Sequence, residues 1–186
     1  MAMDSQAGQR SRFETIWREH RLQVLAYCLR RVSGADAEDA CAETFLVVWR
    51  RLDEIPPEPR TLLCIYGIAR RVLSNQSRAF HRRGRLHERL TNLGVAPSSD
   101  PVDFVVQGAE GRKVAEAVGR LKPTDREIVR LDAWEYLTRD EIAEVVGMTR
   151  AAVDQRIHRA YKKLSRALTP LIDQIHSPPV AEKGGT

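Results

Sequence analysis

Two helical patterns meet at a single glycine near the C-terminal end of the chain, and that junction constrains the fold more than any other feature. Thr138 is followed three residues later by Glu141, the spacing of a capping box, in which each side chain satisfies a backbone N–H of the other residue. The run RDEIAEVV that follows puts Ile142, Ala143 and Val146 on one face. Gly147 then ends the run, as a residue free to take positive φ should. Thr149 is a cap for a second, longer helix whose apolar face is Val153, Ile157, Tyr161, Leu164 and Leu168. A short helix, a glycine turn and a long helix, with small Ala143 where the two must cross, form the pattern of a helix-turn-helix.

The rest of the chain keeps a helical period. Phe13, Ile16, Trp17, His20, Val24, Tyr27 and Cys28 predict a first helix, which Gly34 is expected to stop. Asp36 opens a second, with Ala37, Ala40, Cys41, Phe45, Val48, Trp49 and Leu52 inward. The proline-rich stretch 55–59 cannot continue a helix. A third helix is predicted from Thr61 to about His81, with Leu62, Ile65, Ala69, Val72 and Leu73 inward. No segment alternates with period two for long enough to predict a strand. The run TNLGVAPSSDPVDFVVQG carries two prolines, two glycines and no Lys or Arg, the composition of a linker. The expected fold class is therefore all-α: two small helical domains joined by a flexible linker, the C-terminal one a helix-turn-helix. The expected bounds are a disordered N-terminus over 1–12, a first domain over 13–90, a linker over 91–111, the helix-turn-helix domain over 112–176 and a disordered tail over 177–186.

Charge points to a nucleic acid. Lys plus Arg number 30 against 25 acids, a net charge of +5 carried mostly by arginine. Between Gln155 and Arg166 the long helix bears Arg156, Arg159, Lys162, Lys163 and Arg166 and no acid, a face that attracts phosphates through counterion release. A second cationic stretch, Arg70 to Arg89, holds Arg70, Arg71, Arg78, Arg82, Arg83, Arg85 and Arg89 against the single acid Glu88. Arg70, Asn75, Arg78 and Arg82 are expected roughly on one side, tracking a backbone while Asn and Arg touch bases. Asp36, Asp39 and Glu43 share a face of the second helix at i, i+3 and i+7. No His or further carboxylate joins them at ligand spacing, which argues against catalysis or a metal; the pattern fits a solvated face or, with Trp49 partly exposed, a protein-docking one. No apolar run is long enough for a membrane helix, and the first twelve residues contain no signal-peptide core. Cys28, Cys41 and Cys64 show no pairing or zinc spacing and are expected reduced, in a cytoplasmic protein.

Together these segments resemble the extracytoplasmic-function sigma factors of bacterial RNA polymerase, within the sigma-70 superfamily. DAEDACAETFLVVWRRL resembles the family's second region, IARRVLSNQSRAFHRR its strand-opening and −10-reading segment, and LKPTDREIVRLDAWEYLTRDEIAEVVGMTRAAVDQRIHRAYKKLSRAL its fourth region. The resemblance implies a non-enzymatic factor that binds core polymerase and directs promoter recognition and transcription initiation. It implies docking on the β′ clamp helices through Asp39, Glu43, Trp49 and Arg50, and on the β flap through the fourth region. It implies −10 contacts by Arg60, Arg70, Arg71, Asn75, Arg78, Arg82 and Arg83, and −35 contacts by Thr149, Arg150, Asp154, Gln155, His158, Arg159 and Lys162. An anti-sigma factor is an implied partner, and the chain would join the nucleoid when in holoenzyme.

Some positions depart from the family pattern. Ala42 stands where Gln is usual, Cys64 where Trp is common, Arg71 for Asn, Asn75 for Asp, and Asp154 where a basic or polar residue is common. Asp154 has two readings. It is an early-helix charge able to pair with Arg150 or His158 at i±4, or a major-groove acceptor for cytosine N4. The rival function is a stand-alone helix-turn-helix regulator that binds duplex DNA without polymerase. It fits the C-terminal half equally well and the acidic and Arg-rich helices less well.

Overall fold

A computed structural model describes the backbone over residues 2–91 and 109–176, with side chains over 6–79 and 111–169. The expected linker centre and C-terminal tail lie outside the described residues. Seven α-helices are described: α1 Ala2–Leu29, α2 Gly34–Arg50, α3 Thr61–Thr91, α4 Ala109–Gly119, α5 Pro123–Ala133, α6 Arg139–Val146 and α7 Arg150–His176, with a 3-10 turn at Leu52–Glu54. No strand occurs among the described residues.

In the N-terminal half α1, α2 and α3 pack on one another. Val24, Tyr27 and Cys28 of α1 meet Ala37, Ala40, Phe45 and Val48 of α2 and Ile65, Ala69 and Val72 of α3, all buried. The alanines leave room for close helix approach. Burial pushes the Cys28 thiol up to about 12 and raises Cys41 and Cys64, so the three behave as small apolar residues. The stretch 1–12, expected to be disordered, is drawn into α1 from Ala2 onward. Gly34 begins α2 instead of ending α1. The first helix closes earlier, at Leu29, where the Arg31 and Val32 amides both return to the Cys28 carbonyl at 2.8 and 3.0 Å. Ser33, in extended conformation, is the residue before α2. The third helix runs ten residues past His81, to Thr91.

The C-terminal half forms as its caps dictate. Thr138 and Glu141 make the full capping box, and Gly147 takes the left-handed conformation at φ 70° and ψ 43°. The Thr149 hydroxyl accepts from the Ala152 amide at 3.3 Å and starts α7. The buried face of α7 is Val153, Ile157, Ala160 and Leu164. Tyr161, expected inward, is 39% exposed and donates its hydroxyl to Asp132 at 2.6 Å, because Ala160 and not Tyr161 continues the 4-3-4 register.

Two clusters make the core. Ala117, Val118, Leu121, Val129, Ala160 and Leu164 belong to the C-terminal half alone. The larger cluster is continuous from Ile16 through Leu73 to Ile128, Leu131, Ile142, Val145, Val146 and Val153. Helix α6 therefore packs on α3, and they meet at Gly67, where a Cβ would lie 3.8 Å from the Val145 carbonyl oxygen.

Candidate nucleic-acid interface

Packing the apolar face of α7 inward leaves the opposite face to solvent. Gln155, His158, Arg159 and Lys162 are all exposed at i, i+3, i+4 and i+7, one helical face. The Arg159 Nε donates to the Gln155 carbonyl at 3.2 Å. Arg156, counted with this face from the sequence, is half-buried and pairs with Asp125 of α5 at 2.7 Å. At the start of α7, exposed Thr149 is occupied as a cap, and Arg150 pairs with Asp140 of α6 at 2.9 Å. Asp154 lies 3.8 Å from Arg150, the expected i, i+4 partner, and 3.6 Å from Arg139 of α6, a partner only the fold supplies. Arg139 also pairs with Asp132 at 2.5 Å, so α5, α6 and the head of α7 are joined by charge.

Helix α3 presents a second cationic side. Arg71, Asn75 and Arg78 are exposed at i, i+4 and i+7. Arg70 is half-buried, since at 100° per residue it stands a full step round from Arg71. The expected grouping of Arg70 with Asn75 and Arg78 thus gives way to one led by Arg71. Arg78 folds back on its own helix, donating to the Ser74 hydroxyl at 3.0 Å. Arg82 and Arg83 belong to the same helix, and their side chains lie outside the described residues. Arg60 is exposed before α3 and pairs with Glu144 of α6 at 2.9 Å.

A third surface is acidic and apolar. Asp39, Glu43, Leu46 and Arg50 follow i, i+4, i+7 and i+11 along α2, all exposed. Leu46, 54% exposed, escaped the sequence reading because a lone outward leucine has no periodic signature. Trp49 is exposed beside them, its ring edge-on to Phe13 with centroids 5.1 Å apart. The Glu43 carboxylate accepts from Gln76 Nε2 at 3.0 Å, so the acidic helix touches the cationic one.

Residues 111–164, α4 to α7, match the family model for sigma-70, region 4. The RNA polymerase sigma factor CarQ of Myxococcus xanthus is 30% identical over 88% of this chain and 93% of its own. The chain belongs to the RNA polymerase sigma factors. The sigma factor CnrH of Cupriavidus metallidurans is 27% identical over 90% of this chain and 92% of its own. The extracytoplasmic-function sigma factor BldN of Streptomyces coelicolor is 30% identical over 88% of this chain, which spans 63% of that protein. The same fold occurs in the sigma factor RpoE of Bartonella quintana, solved in complex with the anti-sigma factor NepR. It has a TM-score of 0.65 at 18% identity, over 84% of this chain and 96% of that one. CnrH solved with the cytosolic domain of CnrY gives 0.57 at 23%, over 85% and 88%.

In this sigma factor the least legible group in the sequence is a buried ionic cluster between the halves. The Arg31 guanidinium, at the end of α1, meets Glu127 of α5 at 3.0 Å and Glu135 of the α5–α6 turn at 2.9 Å. It also donates to the Tyr27 carbonyl at 2.8 Å and lies 3.4 Å from the Tyr27 ring centroid. The Tyr27 hydroxyl donates to Glu127 at 2.7 Å. Burial would push the Glu127 carboxyl up, yet Arg31 beside it and the hydrogen bonds from Arg31 and Tyr27 hold it below its ordinary value. Burial and the Glu127 charge together raise Tyr27, which stays a neutral donor. No periodicity marks Arg31, Glu127 or Glu135, because each reads as a surface charge in its own segment.

Proposed function

We propose that this sigma factor binds core bacterial RNA polymerase, recognises promoter DNA and starts transcription there. The observation that carries this is the pair of exposed cationic helix faces, on α3 and α7, in two halves of one chain that also bears a separate acidic and apolar face on α2. One chain with two basic readers suits two DNA elements, and the acidic face suits a protein. In this reading Asp39, Glu43, Leu46, Trp49 and Arg50 dock on the clamp helices of β′, and the C-terminal half sits on the β flap. Arg71, Asn75 and Arg78, with Arg60, Arg70, Arg82 and Arg83, handle the −10 element. Gln155, His158, Arg159 and Lys162, with Thr149, Arg150 and Asp154, read the −35 element.

The factor works by binding and positioning, with no reaction of its own and no cofactor. It acts in the cytoplasm, at the nucleoid when in holoenzyme. The complex of the Bartonella quintana relative with NepR supports an anti-sigma protein as a partner here too. Mixing the purified chain with core polymerase and a promoter library tests the whole reading. Start-site-specific transcripts that require the chain are the expected result. Tight duplex binding with no effect on core polymerase would instead make it a stand-alone regulator.

A further inference from the structure

His20 stands on the inward side of α1, in line with Ile16 one turn before it and Val24 one turn after, and is 8% exposed. A buried ring on an apolar stripe must find partners for its nitrogens. Nε2 lies 2.7 Å from Oε1 of Glu58, in the loop before α3. Nδ1 lies 3.3 Å from Oε1 of Gln23 on the same helix. A ring that donates from Nδ1 to Gln23 carries its lone pair on Nε2, aimed at Glu58. Glu19, beside His20, brings a second carboxylate. One ligand atom from each of Glu19, His20 and Glu58 lies within 4.8 Å of the other two.

The loop that carries Glu58 is held at three points. The Arg12 guanidinium donates to the Ile55 carbonyl at 2.5 Å, the Thr61 hydroxyl to the Pro56 carbonyl at 2.8 Å and the Arg60 amide to the Pro57 carbonyl at 3.1 Å. Pro56, Pro57 and Pro59 fix φ on both sides of Glu58. Two carboxylates thus meet at a prepared place, and no arginine or lysine pairs with either among the described residues. Like charges gathered in this way repel unless a cation lies between them. The donor set is one imidazole nitrogen and two carboxylate oxygens. Magnesium and calcium favour oxygen alone, whereas imidazole suits zinc and its neighbours in the first transition row. Donors on a tetrahedral zinc ion stand roughly 3.5 Å apart. Glu19 and Glu58 are exposed, so their side chains can close to that spacing without disturbing the core. A hydrogen bond from the other ring nitrogen, here toward Gln23, is what orients a metal-binding imidazole.

We propose that Glu19, His20 and Glu58 form a binding site for a zinc-type divalent cation, with Gln23 orienting the ring, and that the ion ties the loop ahead of α3 to α1. The role is structural: the ion joins two segments of the N-terminal half and fixes the loop from which Arg60 and α3 start. The site stands independently of the sigma-factor reading. Spacing in the sequence does not show it, because His20 and Glu58 are 38 residues apart.

Titration of the full chain with zinc, after a chelator has stripped it of metal, tests the site by calorimetry and by thermal melting. The wild type should bind zinc here with one-to-one stoichiometry. With zinc at about a hundred times its dissociation constant, it should melt about 5–10 °C higher. Glu19→Gln with Glu58→Gln keeps the side-chain shapes and removes both anionic ligands. Both positions are exposed, so the helical circular dichroism should be retained. The double variant should lose about tenfold or more in affinity and most of the melting shift. A wild type that binds no zinc, or a double variant that binds it as tightly, overturns the site. If the double variant does not fold, Gln23→Ala is read in its place. It leaves all three ligands and should weaken binding by about 10–100-fold, and unchanged affinity in that variant overturns the site.

Discussion

Arg31 and Glu127 lie 96 residues apart in sequence and 3.0 Å apart in the fold, out of contact with most of the solvent. The pair joins the end of the first helix to the middle of the C-terminal half. Truncating one member strands the other. Arg31→Ala should therefore destabilise the protein by about 3–5 kcal/mol, measured by urea unfolding. Replacing Arg31 and Glu127 together by Met and Leu should cost far less, because no charge is then left buried alone. Equal losses for both variants would show that packing, not charge, dominates the site.

The same pair sets an acid limit. The Glu127 carboxyl is held below its ordinary value, chiefly by Arg31 acting against burial, with Tyr27 and Arg130 assisting. A carboxylate depressed in the folded state contributes stability that is complete above its unfolded pKa and is lost as pH falls through the folded one. The melting temperature should hold down to about pH 4.3 and fall progressively below it. The Glu127→Gln protein should start lower and lose less over the same acid range. Parallel curves for the two proteins would remove Glu127 as the cause.

Asp39 and Glu43 make no contact with the core. Changing both to Lys should leave stability within about 1 kcal/mol, with the Glu43–Gln76 hydrogen bond given up. Capture of core polymerase in a pull-down should weaken. Unchanged capture would make the acidic side of α2 an ordinary solvated face.

On α3 the exposed side divides by chemistry. Asn75→Ala should change the preferred −10 bases, whereas Arg71→Ala should weaken all promoters alike and lower the salt dependence of binding by about one phosphate contact. A randomised −10 library read with both variants separates the two effects. Identical shifts would erase the division.

On α7 the acid at 154 is engaged with Arg139 and Arg150. Exposed pairs of this kind are worth about 0–1 kcal/mol, so Asp154→Ala should scarcely change stability and should leave −35 base preference intact. Arg159→Ala should relax selection for a guanine by about 1–3 kcal/mol. Selection from a randomised −35 library decides it. Loss of a cytosine preference in the Asp154 variant would return that residue to the groove.

The sequence by itself determined several features that depend on neighbours within a turn or two. The capping box at Thr138, the left-handed Gly147, the Thr149 cap and the amphipathic faces of α2 and α7 are local, and their residue types dictate them. It also placed the acidic and cationic surfaces, since an outward residue is recognised by the inward ones beside it. It misjudged phase where two apolar residues adjoin, as at Ala160 and Tyr161, because only the facing helix chooses between them. It misjudged Gly34 because the return of two amides to Cys28 had already closed α1. Tertiary structure alone decided the pairing of Asp154 with Arg139, the half-burial of Arg70 and the meeting of Arg31 with Glu127 and Glu135. Each of those depends on the approach of segments distant in the chain. A charge buried by such an approach reads, in its own segment, like any charge that faces water.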